Sequence, residues 1–184
     1  MSESKTLETE IINNEEHTPT QTETIMTQVV QPNDTNPLGN LHGGRLMYWM
    51  DECSAVSATK HSRAIVVTVS VDGVSFRNTV ELGSFVTIKA KVTRTFRTSM
   101  EVFIEVWAEN IPKNTKIKCN EAYYTFVALD DKGIPIPVKE IHPENEEEKR
   151  LYDGAIRRRQ VRLILGGKMK VEEADELKAL FVKD

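Results

Sequence analysis

The segment that most constrains this chain is residues 43–60, a stretch apolar on nearly every side. Between Gly43 and Thr59 only Arg45, Asp51 and Glu52 are charged, while Leu46, Met47, Tyr48, Trp49, Met50, Cys53, Ala55, Val56 and Ala58 are spread around a helical axis. A helix with apolar residues on all sides belongs inside a protein. The following segments are the material to enclose it. Residues 64–75 are rich in valine, and residues 84–96, 100–110 and 116–129 alternate or nearly alternate apolar with polar side chains. Val86, Ile88, Ala90 and Val92 fall on one face of their segment, with Thr87, Lys89, Lys91 and Thr93 on the other. Period-two alternation predicts half-buried antiparallel strands. With a further strand over residues 25–30 and a turn-rich loop over 31–41, the pattern is that of an α+β fold: one long helix wrapped by an antiparallel sheet.

The ends of the chain read differently. Residues 1–24 hold six Glu and one Lys and few large apolar side chains, so they are expected to form a disordered acidic tail. Residues 25–131 form the domain proper, and residues 132–184 a C-terminal extension. Within it, Pro143, the acidic run from Glu144 to Glu148 and the basic run Arg157 to Arg159 predict a helix over 143–163 whose charges complement its dipole. A second helix is expected over 171–181. No apolar run approaches the ~18 residues that a membrane span requires. Nor does the N-terminus show a basic region followed by an apolar one, so the expected compartment is the cytoplasm, without a membrane partner. Cys53 and Cys119 form no CxxC, and His17, His42, His61 and His142 are scattered, which argues against a disulfide framework or a metal centre.

Four positions stand out for chemistry. Asp51 lies on the apolar helix among small and apolar neighbours, where desolvation favours the proton-accepting behaviour of a general base. His42-Gly43-Gly44 opens that helix, whose first N–H groups lack intrahelical partners and can meet an anion or a developing oxyanion. Asn36 precedes Pro37 in the loop, and Thr68 is a hydroxyl among valines, on the face of Ser70 and Asp72 by parity. Each alone has an ordinary structural explanation: an exposed helix edge beside Glu52 for Asp51, a turn for the glycines and Asn36, a strand for Thr68.

Together they are more specific. The run Asn36-Pro-Leu-Gly-Asn-Leu-His-Gly-Gly-Arg-Leu-Met-Tyr-Trp-Met-Asp51-Glu resembles the signature of the acyl-CoA hydrolase (acyl-CoA thioesterase) branch of single-hotdog proteins. Val67-Thr68, Asp72, Phe76, Gly83 and the Arg97-Thr98-Ser99-Met100-Glu101 turn continue the resemblance, which spans residues 25–131. It implies a hotdog fold and hydrolysis of fatty acyl-CoA to a free fatty acid and coenzyme A. Asp51 would be general base or nucleophile, with Asn36 and Thr68 as further catalytic residues and Gly43 or Gly44 as the oxyanion donor. No cofactor is implied. The site is expected at a dimer interface, with Asn36 and Asp51 from opposite subunits, in a homohexameric trimer of dimers. Arg94, Arg97, Thr98 and Ser99 are the expected contacts for the phosphates of coenzyme A.

Two other readings fit the same residues. One is a non-catalytic acyl-CoA-binding regulator. The other is a hotdog hydratase or dehydratase using His42 and Asp51. The spacing from Asn36 to Asp51 favours hydrolysis. The acidic N-terminal segment has no helix-turn-helix pattern and argues against a nucleic-acid partner.

Overall fold

The computed structural model describes residues 17–76 and 78–181. Five strands, β1 (Thr24–Val29), β2 (Ile65–Asp72), β3 (Phe85–Thr95), β4 (Ser99–Asn110) and β5 (Thr115–Leu129), form one antiparallel sheet in the order β1-β3-β4-β5-β2. The long helix, here α2 (Gly43–Ser62), crosses one face of it, after a single-turn helix α1 (Pro19–Thr22). The apolar face predicted for β3 meets it: Val86, Ile88, Ala90 and Val92 are all buried. Their register partners Ala108, Val106, Ile104 and Val102 on β4 are buried with them, and β5 adds Ala122, Tyr124, Phe126 and Ala128. Each valine, isoleucine or phenylalanine side chain removed from water here contributes roughly 1.5–3 kcal/mol, which makes this layer the dominant stabilising contact.

The helix is not enclosed on all sides, as its composition had suggested. Leu46, Trp49, Met50, Cys53, Ser54, Ser57, Ala58 and His61 are buried, but Met47, Tyr48 and Val56 are exposed. One sheet covers one side of a helix, and no other element of the described chain covers the rest. Ile65, Val67 and Val69 on β2, the outer strand of the sheet, are exposed as well.

The other face of the sheet carries α3 (Glu146–Leu165). Glu101, expected on a half-solvated strand face, is fully buried beneath it. The Arg158 guanidinium donates to both Glu101 carboxylate oxygens, at 3.0 and 2.7 Å, and the Thr93 hydroxyl donates to the same group at 2.8 Å. The basic run therefore does not cap the helix C-terminus as expected. Arg158 docks the helix, and α3 runs on to Leu165. The helix starts at Asn145, whose side chain accepts from the Glu148 N–H, rather than at Pro143. The second C-terminal helix is also shorter than predicted: a 3-10 turn at Val171–Glu173, then α4 (Asp175–Lys178).

At the N-terminus, the expected tail is part of the domain from residue 17 onward. Thr18 and Thr22 are buried, the Thr22 hydroxyl accepts from the Val92 N–H at 2.9 Å, and Thr20 donates to Glu148 at 3.0 Å. Hydroxyls that bond the edge of the sheet offset the low apolar content of this segment. Residues 1–16, with the Ile11-Ile12 pair, lie outside the described residues.

Two measurements test this packing. Arg158→Leu leaves the buried Glu101 carboxylate without its counter-charge and is expected to cost roughly 3–5 kcal/mol in denaturant unfolding. A loss within the scatter of surface mutations would contradict the pairing. The second concerns His17 and His61, whose rings meet edge to face at 5.4 Å. Burial pushes both imidazoles below the usual 6.5. The charge of Lys139 also disfavours protonation of both, with His142 and Arg63 adding to this at His17, while the Lys139 carbonyl, 2.9 Å from His61 Nε2, partly opposes the shift at His61. The unfolded chain takes up these protons first, so stability present above pH 6.5 is lost as the pH falls through the folded values. The thermal midpoint is expected to drop between about pH 7 and pH 5, less so in His61→Gln, and a flat midpoint would contradict the burial.

Candidate active site

The loop before α2 is built on Asp34. Its carboxylate accepts from the Gln31 N–H at 2.9 Å and pairs with Arg45 at 2.9 Å, and its carbonyl accepts from the His42 N–H at 2.8 Å. This fastens both ends of the loop to the first turn of the helix. Within it, Asn36 folds the chain on itself. The Asn36 carboxamide oxygen accepts from Leu38 at 2.9 Å and Asn40 at 3.2 Å, and the Asn36 N–H donates to the Asn40 carbonyl at 2.7 Å. Gly39 takes φ +75°, a left-handed conformation suited to glycine. The Asn36 oxygen is thus engaged in the turn, and its NH₂ group has no acceptor among the described residues.

At the helix start the two glycines are not equivalent. The His42 ring nitrogen Nδ1 accepts from the Gly44 N–H at 3.0 Å, while Arg45 and Leu46 donate to the His42 carbonyl. That leaves the Gly43 N–H without an acceptor among the described residues. A side chain at Gly43 would meet the Phe76 ring, whose Cζ lies 3.3 Å from where a Cβ would stand. Phe76 itself is exposed. It covers the glycine from the loop after β2, a relation between distant residues that the sequence pattern does not show.

Further along the helix, Asp51 is half-buried and its Oδ1 accepts from the Thr68 hydroxyl at 2.6 Å. This pairing depends on an irregularity in β2. Thr68 pairs with Phe126 and Ser70 with Thr125, so Val69 is an extra residue on β2. The bulge reverses the alternation. Thr68 consequently faces α2, whereas Ser70 and Asp72 face the α3 side, where Arg162 pairs with Asp72. The equal-parity expectation for Thr68, Ser70 and Asp72 is overturned by that one residue. Tyr124 was not anticipated either. Its hydroxyl donates to the Met47 carbonyl at 3.4 Å, and burial, aided by the charge of Asp51, pushes it up to about 12. It remains a neutral donor beneath the helix.

The residues thus fall into two groups. Asn36 and Gly43 sit at the N-terminal end of α2, and Asp51 with Thr68 sits eight residues on, about 12 Å along the axis at 1.5 Å per residue. One carbonyl carbon cannot touch both groups of a single chain. The four expected phosphate contacts also separate. Arg97, exposed, and Thr98 lie in the β3–β4 turn and Ser99 begins β4. Arg94 turns under α3, donating to the Tyr152 carbonyl at 3.1 Å with its guanidinium 4.0 Å from the Tyr152 ring centre.

Comparison with known proteins places the chain in a family. Residues 38–114 match the model of the thioesterase superfamily. The uncharacterized acyl-CoA thioester hydrolase YkhA of Bacillus subtilis is 37% identical over 134 residues, covering 73% of this chain and 78% of that protein. The chain belongs to the acyl-CoA thioester hydrolase family of the thioesterase superfamily. It has the hotdog fold of that family. It is similar to the crystal structure of an apo-hexameric acyl-CoA thioesterase, with a TM-score of 0.79, 38% identity, and coverage of 82% of this chain and 97% of the other. It is likewise similar to an acyl-CoA hydrolase of Staphylococcus aureus in complex with butyryl coenzyme A, coenzyme A and coenzyme A disulfide. Here the TM-score is 0.74, the identity 34% and the coverage 82% and 94%. Mutant structures of that hydrolase replace by alanine an asparagine, an aspartate fifteen positions later and a threonine seventeen beyond that. Asn36, Asp51 and Thr68 have the same two spacings. The rat cytosolic acyl coenzyme A thioester hydrolase is 32% identical over 145 residues, but the alignment spans 38% of its length and 78% of this chain.

The cap at the head of this hydrolase-family helix gives a direct test. His42→Ala removes the Gly44 acceptor and is expected to lower stability by about 1 kcal/mol, as losing an N-cap does. An unchanged unfolding midpoint would show that His42 does not cap the helix.

Proposed function

We propose that this chain is an acyl-CoA thioesterase that hydrolyses fatty acyl-CoA to a free fatty acid and coenzyme A, with each site assembled from two copies. The observation that carries the reading is the division of the candidate residues along α2. Asn36 and Gly43 lie at one end and Asp51 with Thr68 about 12 Å away, beside an apolar face that the described residues leave uncovered. A second copy packed on that face brings the head of its helix to the middle of the first. Family membership and the matching spacing of Asn36, Asp51 and Thr68 support the assignment.

In this reading the Gly43 N–H, the donor left free by the His42 cap, receives the thioester carbonyl oxygen as it gains negative charge. Gly44 holds the cap closed. Thr68 donates to Asp51 Oδ1 and leaves Oδ2 to take a proton from the attacking water, so Asp51 acts as general base. The Asn36 NH₂ group, from the partner subunit, orients the water or thioester. Addition gives a tetrahedral oxyanion. Its collapse breaks the carbon–sulfur bond, and Asp51 returns its proton to the departing sulfur, releasing coenzyme A as a thiol and leaving the fatty acid. These steps call on no metal or organic cofactor. Arg97, Thr98 and Ser99, with Arg94 nearby on β3, receive the phosphates of the nucleotide end. These dimers assemble in this reading as a trimer of dimers, which the hexameric state of a structural neighbour supports.

Thiol release from acyl-CoA esters of graded chain length tests the proposal. The intact protein is expected to release thiol. Asp51→Ala is expected to lower kcat by about 10²–10⁴, the range of a lost general base, with an unchanged elution volume on size exclusion. Near-normal turnover in that variant would sink the role of Asp51. Absence of release from every ester by the intact protein would favour the non-catalytic acyl-CoA-binding reading instead.

A further inference from the structure

The loop after β2 holds one side chain in place from both sides. It turns at Gly73, φ +78°, and sends Val74 back against the core. Two side-chain bonds then pin the segment to β5. The Asn120 carboxamide oxygen accepts from the Ser75 N–H at 3.4 Å, and the Asn78 NH₂ group donates to the Lys118 carbonyl at 3.1 Å. Phe76 lies between these tethers. β5 is irregular at the same place: Asn120 pairs with Val106 and Lys118 with Trp107, so Cys119 is an extra residue. Such a bulge re-aims the side chains beside it. Asn120 extends the buried row of Ala122, Tyr124 and Phe126 on the α2 face, and its NH₂ group has no hydrogen-bond partner among the described residues. A buried amide left partly unsatisfied costs stability, so core packing does not account for it. Its hold on the loop does.

Phe76 itself adds little to the core, because 55% of it stays exposed. Its ring tip instead lies on Gly43, with Cζ 3.3 Å and both Cε atoms 3.6 Å from where a Cβ would stand. The His42 cap engages the Gly44 N–H and leaves that of Gly43 without an acceptor among the described residues. We propose that Phe76 is a substrate-positioning residue. Its ring is the apolar wall against which the carbons beside a thioester carbonyl lie, turning the oxygen toward the Gly43 N–H. This inference rests on the thioesterase reading. The ring narrows the orientations open to the carbonyl, which favours reaction over mere binding. It also keeps water from the donor, and a hydrogen bond to growing negative charge is stronger where the dielectric is low. Both effects are larger in the transition state than in the bound ester, so their loss lowers kcat more than it raises KM. Asn120 and Asn78 act through the loop, by keeping Phe76 over the glycine. The same contact accounts for glycine at position 43, where a methyl group would push the ring aside.

Steady-state thiol release from one acyl-CoA ester, by the intact protein and by Phe76 and tether variants, tests the proposal. Phe76→Ala is expected to lower kcat by about tenfold to a hundredfold, the scale of a misplaced reacting group, while KM changes less. Its elution volume and thermal midpoint are expected to match those of the intact protein, since the ring is more than half in water. Phe76→Leu, which keeps an apolar wall, is expected to restore most of the lost kcat. Asn120→Ala is expected to lower kcat in the same direction, and to add nothing in a double variant with Phe76→Ala. Asn78→Ala tests the exposed tether in the same way, without a change in the core. An unchanged kcat in Phe76→Ala, a loss confined to KM, no recovery in Phe76→Leu, or a tether loss that simply adds to that of Phe76→Ala would overturn the proposal. Failure of the thioesterase reading looks different: the intact protein then releases no thiol from any ester, and the positioning role falls with it.

Discussion

The one-sided grip of the sheet on α2 is the contact on which the rest depends. Met50, Cys53 and Ala58 seat the helix on Ile88, Ile104 and Phe126, all buried to within 1% of complete coverage. This fixes the rotation of the helix about its axis. Asp51, one residue beyond Met50, is therefore carried to the edge of the contact, where β2 passes and Thr68 can reach it. The same rotation leaves Met47, Tyr48 and Val56 outside the core. A helix with apolar side chains on both sides, of which the described residues cover only one, gives a physical motive for association as well as for folding.

The two faces of the sheet are held by different physics. The α2 face is close-packed and apolar, and its energetics scale with area. The α3 face is joined by discrete charges, of which Glu101–Arg158 is the most buried, and its stability depends on each charge keeping its partner.

Much of this architecture was legible from the sequence. Alternation in residues 84–96 and 100–110 located β3 and β4 to within one residue at each end, and the apolar run from Gly43 located α2. The run from Asn36 to Asp51 marked the family because its signature is local. What escaped notice depends on single residues or on distant partners. The extra residue Val69 is invisible in a valine-rich strand, yet it decides which face Thr68 takes. The His42 cap is a two-residue contact that distinguishes Gly43 from Gly44, which the motif alone left equivalent. Glu101 read as a strand-surface residue because its partner Arg158 lies 57 positions away. Residues 17–24 read as a tail because their packing uses threonine hydroxyls in place of apolar bulk.

The central claim is that one catalytic unit takes Asn36 and Gly43 from one copy and Asp51 and Thr68 from another. Subunit complementation tests it most directly. Asn36→Ala and Asp51→Ala are prepared as separate oligomers, each of low activity, then dissociated and reassembled together. Sites shared across copies predict that a mixed dimer regains one intact site, so the mixture releases thiol well above the sum of its parts. Sites complete within each copy predict no gain at any mixing ratio, and that result, with subunit exchange confirmed by mass, would contradict the account.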